Sequence, residues 1–400
     1  MNPFATLYCR AFQRIMYVAA AAIPFRLPEV IEGADALARK IYDLGFRKPL
    51  LVTDRSLHTL GMEKKFIEAF EKVGMRSGLF YGVDPNPTFG MVQNGYAVYK
   101  QENCDCLVAL GGGSSMDAAK VIAIRIAYPD KDLASFKGLL KVRRELVPLF
   151  AIPTTAGTGS EATLAAVIVN EFTRDKFQID DGKLIPYGAV FDPTLLTNLP
   201  PRVIAATGMD ALTHAVESFI GQSNYKKTRA DALEAIELID RHLLAFYKNP
   251  LDLVEARFMQ KAAFLAGAAF TRSYVGYVHA LAHSLGGMYN VPHGYANAVL
   301  LPHVLLAYGK KAHKKLAYLC DLLELAPSAL TRAEKAQAFI KHVVDMNKAM
   351  GIPEAFEGLV KEEDIRALAV HAAKEGNPLY PVPKTMNAKE LEMVLRSALK

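Results

Sequence analysis

The sequence predicts an α/β domain built on a parallel sheet over residues 1–200, followed by an all-helical domain over residues 201–400. Three observations carry this. Before residue 200, short β-branched or aliphatic runs ending on Gly, Asp or Thr alternate with helical stretches, the texture of a parallel sheet covered on both faces. After residue 200 these runs stop, and Ala/Leu-rich segments with the apolar spacing of helices take over. The 400 residues are 51% apolar and 22% charged, which supplies core for two to three structural units and excludes disorder or low-complexity scaffolding.

The elements follow in order. Arg10 and Arg14 precede the apolar stretch Ile15 to Ile23, and no acidic residue comes before Glu29, so the first 25 residues loosely imitate a targeting peptide. The positive residues lie ten positions in and the apolar run is short, so the expectation is an amphipathic segment packed on the body of the protein. Strands are expected at Pro49 to Asp54, Ser77 to Tyr81, Cys106 to Leu110 and Val147 to Ile152. Pro200-Pro201 marks the hinge. Beyond it, Thr228 with Asp231 and Thr331 with Glu334 read as helix starts, and Leu233, Ile236, Ile239 and Leu243 keep a helical period.

Charge and cysteine narrow the function classes. The 47 basic against 41 acidic residues give +6, too mild for a nucleic-acid-binding face. The run Lys310 to Lys315 reads as a solvated helix face. No apolar run reaches the ~20 residues that span a bilayer, so no membrane partner is expected. Four Cys are too sparse for a disulfide framework, which suits a reducing cytoplasm. Cys104 and Cys106 flank a strand entry and read as core.

The first chemical signal is Gly111-Gly112-Gly113-Ser114-Ser115-Met116-Asp117, between a strand and a helical stretch. Glycines let backbone amides approach a ligand, Ser114 or Ser115 can cap the helix, and the helix end attracts phosphate. Asp54 ends a strand where a carboxylate can accept hydrogen bonds from ribose hydroxyls and repel the extra phosphate of NADP. Pro153 to Glu161 (PTTAGTGSE) offers Thr154, Thr155, Thr158 and Ser160 in another strand-end loop, and Asn86 lies in the turn Pro85 to Thr88. Such loops at the carboxyl ends of strands describe a ligand crevice.

The second signal is histidine. Asp210 and His214 are four residues apart, as are His279 and His283, and His293 follows ten residues later. Spacing i, i+4 places each pair on one helical face. A carboxylate with several imidazoles and no cysteine makes an N/O site for a divalent first-row metal. The remaining histidines (His58, His242, His303, His313, His342 and His371) lack this company and read as structural.

In order and over nearly the whole chain, PLLVTD, DPNPT, ALGGGSSMDAAK, PTTAGTGSEAT, GMDALTHAVESF and VHALAHSLGGMYNVPHGYANAVLLPH resemble the iron-dependent (group III) alcohol dehydrogenases. The resemblance implies a Rossmann-like NAD-binding domain, a helical metal-binding domain of dehydroquinate synthase-like architecture, and an active site in the cleft between them. It implies Asp210, His214, His279 and His293 as metal ligands, with His283 facing substrate and nicotinamide instead. It assigns Asp54 to the adenosine ribose, Gly112, Gly113 and Ser114 to the pyrophosphate, Asp117 to the nicotinamide end, Thr154, Thr155 and Thr158 to the cofactor cleft, and Lys176 to the nicotinamide ribose. Departures from the family pattern fall at Arg272, Tyr274 and Tyr277, where many relatives have small residues, and at Lys374-Glu375, where several have Cys-Thr.

The expected function is reversible, NAD-linked oxidation of a small primary alcohol or diol to the aldehyde. The cofactors expected are NAD and one divalent metal, Fe(II) first, with Zn(II) or another first-row ion as alternatives. His283 and Asp117 are the candidate catalytic residues, and a homodimer or higher homo-oligomer is expected. A glycerol dehydrogenase or a dehydroquinate synthase-type cyclase shares the architecture, and a metallohydrolase could use the same ligands without the glycine turn.

Overall fold

The structure, a computed structural model, describes residues 1–22, 26–173 and 175–400. Ile23, the last residue of the apolar N-terminal stretch, lies outside the described residues. The chain forms two units, one of the first helix with Leu199–Lys400, the other running to Asn198.

In the α/β unit the strands are β1 (Glu29–Glu32), β2 (Pro49–Asp54), β3 (Gly78–Val83), β4 (Cys106–Gly111), β5 (Gly138–Leu139), β6 (Leu149–Pro153), β7 (Ala165–Asn170), β8 (Asp175–Asp180) and β9 (Gly188–Phe191). The main sheet has the order β1-β9-β6-β4-β2-β3. All its pairings are parallel. Its strands are near-continuous apolar runs because both faces are covered. Leu50, Val52, Leu107 and Ala109 pack into one core with Val92 and Met116 from the helices Phe89–Gln101 and Gly113–Ala127. Leu51, Val108, Leu110 and Ile152 point the other way, against Leu37, Ile41, Phe66 and Phe70 from Gly33–Asp43 and Lys64–Lys72.

The four expected strands are present within two residues at each end. The sequence reading missed β1 and β9, each only four residues long, and the small sheet in which β7 and β8 pair antiparallel beside β5. In β8 alternation is visible in hindsight, since Phe177 and Ile179 are buried between polar neighbours.

The helical unit contains Pro201–Ile220, Lys226–Lys248, Leu253–Ser273, Tyr277–Tyr289 and His293–Tyr308, followed by His313–Leu322, Arg332–Ala349, Glu362–Gly376 and Ala388–Ser397. Thr331 and Glu334 form the expected reciprocal cap, with Glu334 N–H donating to Thr331 Oγ1 at 3.3 Å and Thr331 N–H to Glu334 Oε2 at 2.7 Å. Thr228 does not start its helix. It sits one turn in and accepts from Tyr225 N–H at 2.9 Å.

The N-terminal segment departs from the 1–200 division. Helix Pro3–Ala22 belongs with the helical unit, because its polar inner side chains satisfy carbonyls of an irregular segment there. Arg10 donates to the carbonyls of Val382 and Pro383 at 2.7 and 2.8 Å, and Gln13 to those of Pro378 and Tyr380 at 3.1 and 2.7 Å. Lys315 also differs from the solvated face expected of it. Its ammonium donates to the carbonyls of Phe219 and Ile220 at the end of Pro201–Ile220, a favourable place for a cation. Burial first, then Arg229 and Lys314, push it down to about 8. The four cysteines are free and buried. Among the described residues no helix is long and apolar enough to cross a membrane.

Candidate metal centre and nucleotide-binding edge

Three helices of the helical unit bring Asp210, His214, His279 and His293 together, each offering one ligand atom, all within 4.8 Å of one another. Asp210 and His214 share one face of Pro201–Ile220, His279 lies in the first turn of Tyr277–Tyr289, and His293 opens His293–Tyr308. Asp210 Oδ1 lies 4.0 Å from His279 Nε2 and 3.6 Å from His293 Nε2. Close approach of these helices requires Gly294, since a Cβ there would sit 2.4 Å from the carbonyl oxygen of Ala206.

The electrostatics favour a cation. Burial, reinforced by His214, His293 and His283, holds His279 well below the usual imidazole range, so it is neutral and able to ligate. Its Nδ1 is hydrogen-bonded to Glu217 Oε2 at 2.7 Å, which aims Nε2 at the cluster. Glu217 is buried and also accepts the N–H groups of Gly276 and Val278 at 2.8 and 2.9 Å. Phe270 stacks on His214 with ring centroids 4.2 Å apart. Asn297, fully buried, donates to Asp210 Oδ1 at 2.7 Å.

His283 sits beside this group. Its ring stacks on His293 at 5.1 Å and meets His279 edge-on at 6.0 Å. Its Nδ1 is 2.6 Å from Glu375 Oε1. Glu217, Asn297 and Glu375 were missed as site residues by the sequence reading. Glu217 had a usable signal, one turn after His214 on an apolar helix where a carboxylate needs a partner. The departures at Arg272 and Tyr277 have structural explanations. Arg272 lies over the Tyr225 ring at 4.5 Å, and Tyr277 is fully buried with its hydroxyl bonded to Asn377 at 2.8 Å. Of the other histidines, His58, His242 and His342 pair with Glu63, Glu255 and Asp240 outside the cluster.

In the α/β unit, β6, β4 and β2 are adjacent and parallel, so Thr154 to Ser160, Gly111 to Gly113 and Asp54 share one edge. The chain runs outward in opposite directions from β2 and β4, which makes their boundary the switch point where α/β sheets bind ligands. Gly112 caps the helix Gly113–Ala127 without a side-chain bond of its own, leaving the first amides to a ligand. A Cβ on Gly113 would come within 3.3 Å of Thr158, and one on Gly112 within 3.6 Å of Thr155, so the loop closes directly over the turn. Asp54 Oδ1 accepts from Leu57 N–H at 3.0 Å, capping Arg55–Thr59.

Other predicted residues are engaged in holding the edge. Asp117 accepts from Ser160 Oγ and Val167 N–H, both at 3.0 Å, tying helix to loop. Thr154 N–H donates to the Gly111 carbonyl at 3.1 Å. Lys176 donates to Asn86 Oδ1 at 2.7 Å on the exposed rim, with Asn86 in the left-handed region at φ 59°. Lys120, unmarked in the sequence, is fully buried and donates to both oxygens of Ser160 and of Thr163 and to the Ala165 carbonyl. It fixes the whole strand-end loop from within.

Residues 28–193 match the family described as iron-containing alcohol dehydrogenase, and residues 204–399 match the Fe-containing alcohol dehydrogenase family, C-terminal. A 1,3-propanediol dehydrogenase of Klebsiella pneumoniae is 39% identical over 359 residues, covering 89% of this chain and 92% of that protein. An NAD-dependent methanol dehydrogenase of Bacillus methanolicus is 35% identical over 361 residues, covering 90% and 94%. A crystal structure of a 1,3-propanediol oxidoreductase superposes with a TM-score of 0.89 at 37% identity, covering 94% of this chain and 99% of that one. With the buried aspartate and histidine cluster in one unit and the glycine turn in the other, these matches establish that the chain belongs to the iron-containing alcohol dehydrogenase family and is an alcohol oxidoreductase.

Proposed function

We propose that the protein catalyses reversible NAD-linked oxidation of small primary alcohols and diols to aldehydes, using a divalent ion held by Asp210, His214, His279 and His293. The single observation that carries the reading is that cluster, one carboxylate and three imidazoles converging in a buried site. This donor set suits a first-row divalent ion, and membership of the iron-containing family favours Fe(II) over Zn(II) in it. When bound, the ion would supply Lewis acidity that eases loss of the hydroxyl proton, and the nicotinamide would supply an acceptor for the hydride of the carbinol carbon.

The chain's own residues do the rest. Glu217 keeps His279 in the tautomer that ligates, and Asn297 steadies Asp210. The free amides at Gly113 and Ser114 take the pyrophosphate, the small glycines let it approach, and Thr155 and Thr158 border it. Asp54 presents its carboxylate to the adenosine ribose while capping its helix. Lys120, Ser160, Thr163 and Asp117 hold the loop that carries Thr154 to Thr158. His283, against His293, accepts the substrate hydroxyl proton or hydrogen bond. We further infer a homodimer or larger assembly acting in the cytoplasm.

The relatives' names point to a diol or short-alcohol substrate. The test is a panel of straight-chain primary alcohols, 1,2- and 1,3-diols and glycerol with the Fe(II)-loaded protein, following NADH. Turnover of primary alcohols or terminal diols supports the reading. Turnover confined to glycerol's secondary carbon would favour the polyol enzyme, and no NADH from any of them would refute both.

A further inference from the structure

His283 is held at two points. Its face is fixed by the stack on His293, inclined by only 17°, which leaves rotation in its own plane undetermined. Glu375 supplies that second constraint through the 2.6 Å contact with Nδ1. Glu375 is itself held, because the Tyr380 hydroxyl donates to the same Oε1 at 2.8 Å. Oε1 thus takes the Tyr380 O–H and still faces Nδ1 at hydrogen-bond distance, the position of an acceptor of two protons. An ionised carboxylate only accepts hydrogen bonds, so the proton of a neutral imidazole must sit on Nδ1.

We propose that Glu375, anchored by Tyr380, is a positioning residue that fixes His283 as its Nδ1–H tautomer, with the Nε2 lone pair as the acceptor for a substrate hydroxyl. The proposal rests on reading His283 as substrate-facing. Its consequence is directional: in this tautomer the ring welcomes the hydroxyl of an alcohol or diol and offers no proton to a ligand that can only accept. The logic is that of carboxylate-oriented histidines in general, where the partner of one ring nitrogen decides what the other can do.

The experiment uses full-length protein loaded with Zn(II) and labelled with ¹⁵N-histidine, in which two-bond ¹H–¹⁵N spectra report each tautomer and His283→Asn identifies the signal. The wild type is expected to show Nδ1–H. Glu375→Leu should lose that pattern and about 10- to 100-fold in kcat/KM for alcohol oxidation, with metal content and NADH affinity unchanged. Glu375→Gln should retain both within about tenfold, because Tyr380 holds the amide oxygen toward the imidazole. Nε2–H in the wild type overturns the proposal without need of any variant, and so does a Glu375→Leu enzyme with wild-type tautomer and rate. A rate loss in His283→Asn with none in Glu375→Leu overturns the proposal alone. Wild-type rates in both overturn the reading of His283 on which it stands.

Discussion

Glu217→Gln changes one atom's chemistry at nearly constant volume and probes the support beneath the metal cluster. In the wild type, Oε2 accepts from His279 Nδ1 and Gly276 N–H, and Oε1 from Val278 N–H. A glutamine must turn its NH₂ toward one of these donor groups. The less costly orientation faces Val278 and sacrifices one buried hydrogen bond, about 1–3 kcal/mol, whereas the other sacrifices two. Even in the better orientation the charge-assisted bond to His279, present above the value of about 7 to which burial raises Glu217, becomes a neutral one, roughly half as strong. The metal-free variant should therefore melt lower, by about 2–4 °C for each kcal/mol in a unit of this size. Metal affinity should fall about 10- to 100-fold, since the imidazole that ligates is less firmly aimed and less basic. Calorimetry of metal-free protein gives the first number, and competition against a chelator of known affinity gives the second. A variant that melts lower but binds metal as tightly as wild type would refute the orienting role and leave Glu217 a purely structural carboxylate.

Three further outcomes follow from the same geometry. Glu161 is buried, with Oε1 making no hydrogen bond, and desolvation raises it to about 7. A raised acid stabilises the fold fully below its unfolded value near 4.5 and loses that contribution as pH rises through about 7, so Glu161→Gln should flatten the loss, by on the order of 3 kcal/mol at pH 8. Denaturant midpoints across pH 5–8 that fall equally in both proteins would contradict it. Gly294→Ala places a Cβ 2.4 Å from the Ala206 carbonyl and 3.2 Å from Asp210 Cβ. It should cost about 1–3 kcal/mol and displace His293, measurable as a lower melting temperature with reduced metal uptake. Asp54→Gly should relax NAD over NADP preference while costing only about a few tenths of a kcal/mol as a cap. Unchanged discrimination would remove Asp54 from the ribose site.

Much of this was legible in the sequence because the informative residues are local. A glycine turn after an apolar run, and histidines spaced by one helical turn, announce themselves without tertiary structure. What spacing could not do was separate His279 from His283. Both lie on one face of one helix, and only the position of the neighbouring helices decides that the first converges with Asp210 while the second turns to Glu375. The supporting carboxylates were hidden for the same reason. Glu217 and Glu375 meet their histidines across sequence separations of 62 and 92 residues. Lys120 likewise looked like an ordinary helix lysine until its five oxygen contacts showed it to be the peg of the strand-end loop. Chain order makes the N-terminal helix a neighbour of the first strands, whereas Arg10 and Gln13 find their acceptors near residue 380.

We propose that a metal held by Asp210, His214, His279 and His293 enables transfer of hydride to NAD. The most direct measurement strips the protein of metal, reloads it anaerobically with Fe(II), and records bound metal and NADH formation from 1,3-propanediol for wild type and His279→Ala side by side. Metal-free protein should be inactive, Fe(II) should restore turnover to the wild type, and His279→Ala should bind little metal and form little NADH. Full activity without metal, or a His279→Ala protein as active as wild type, would contradict the account.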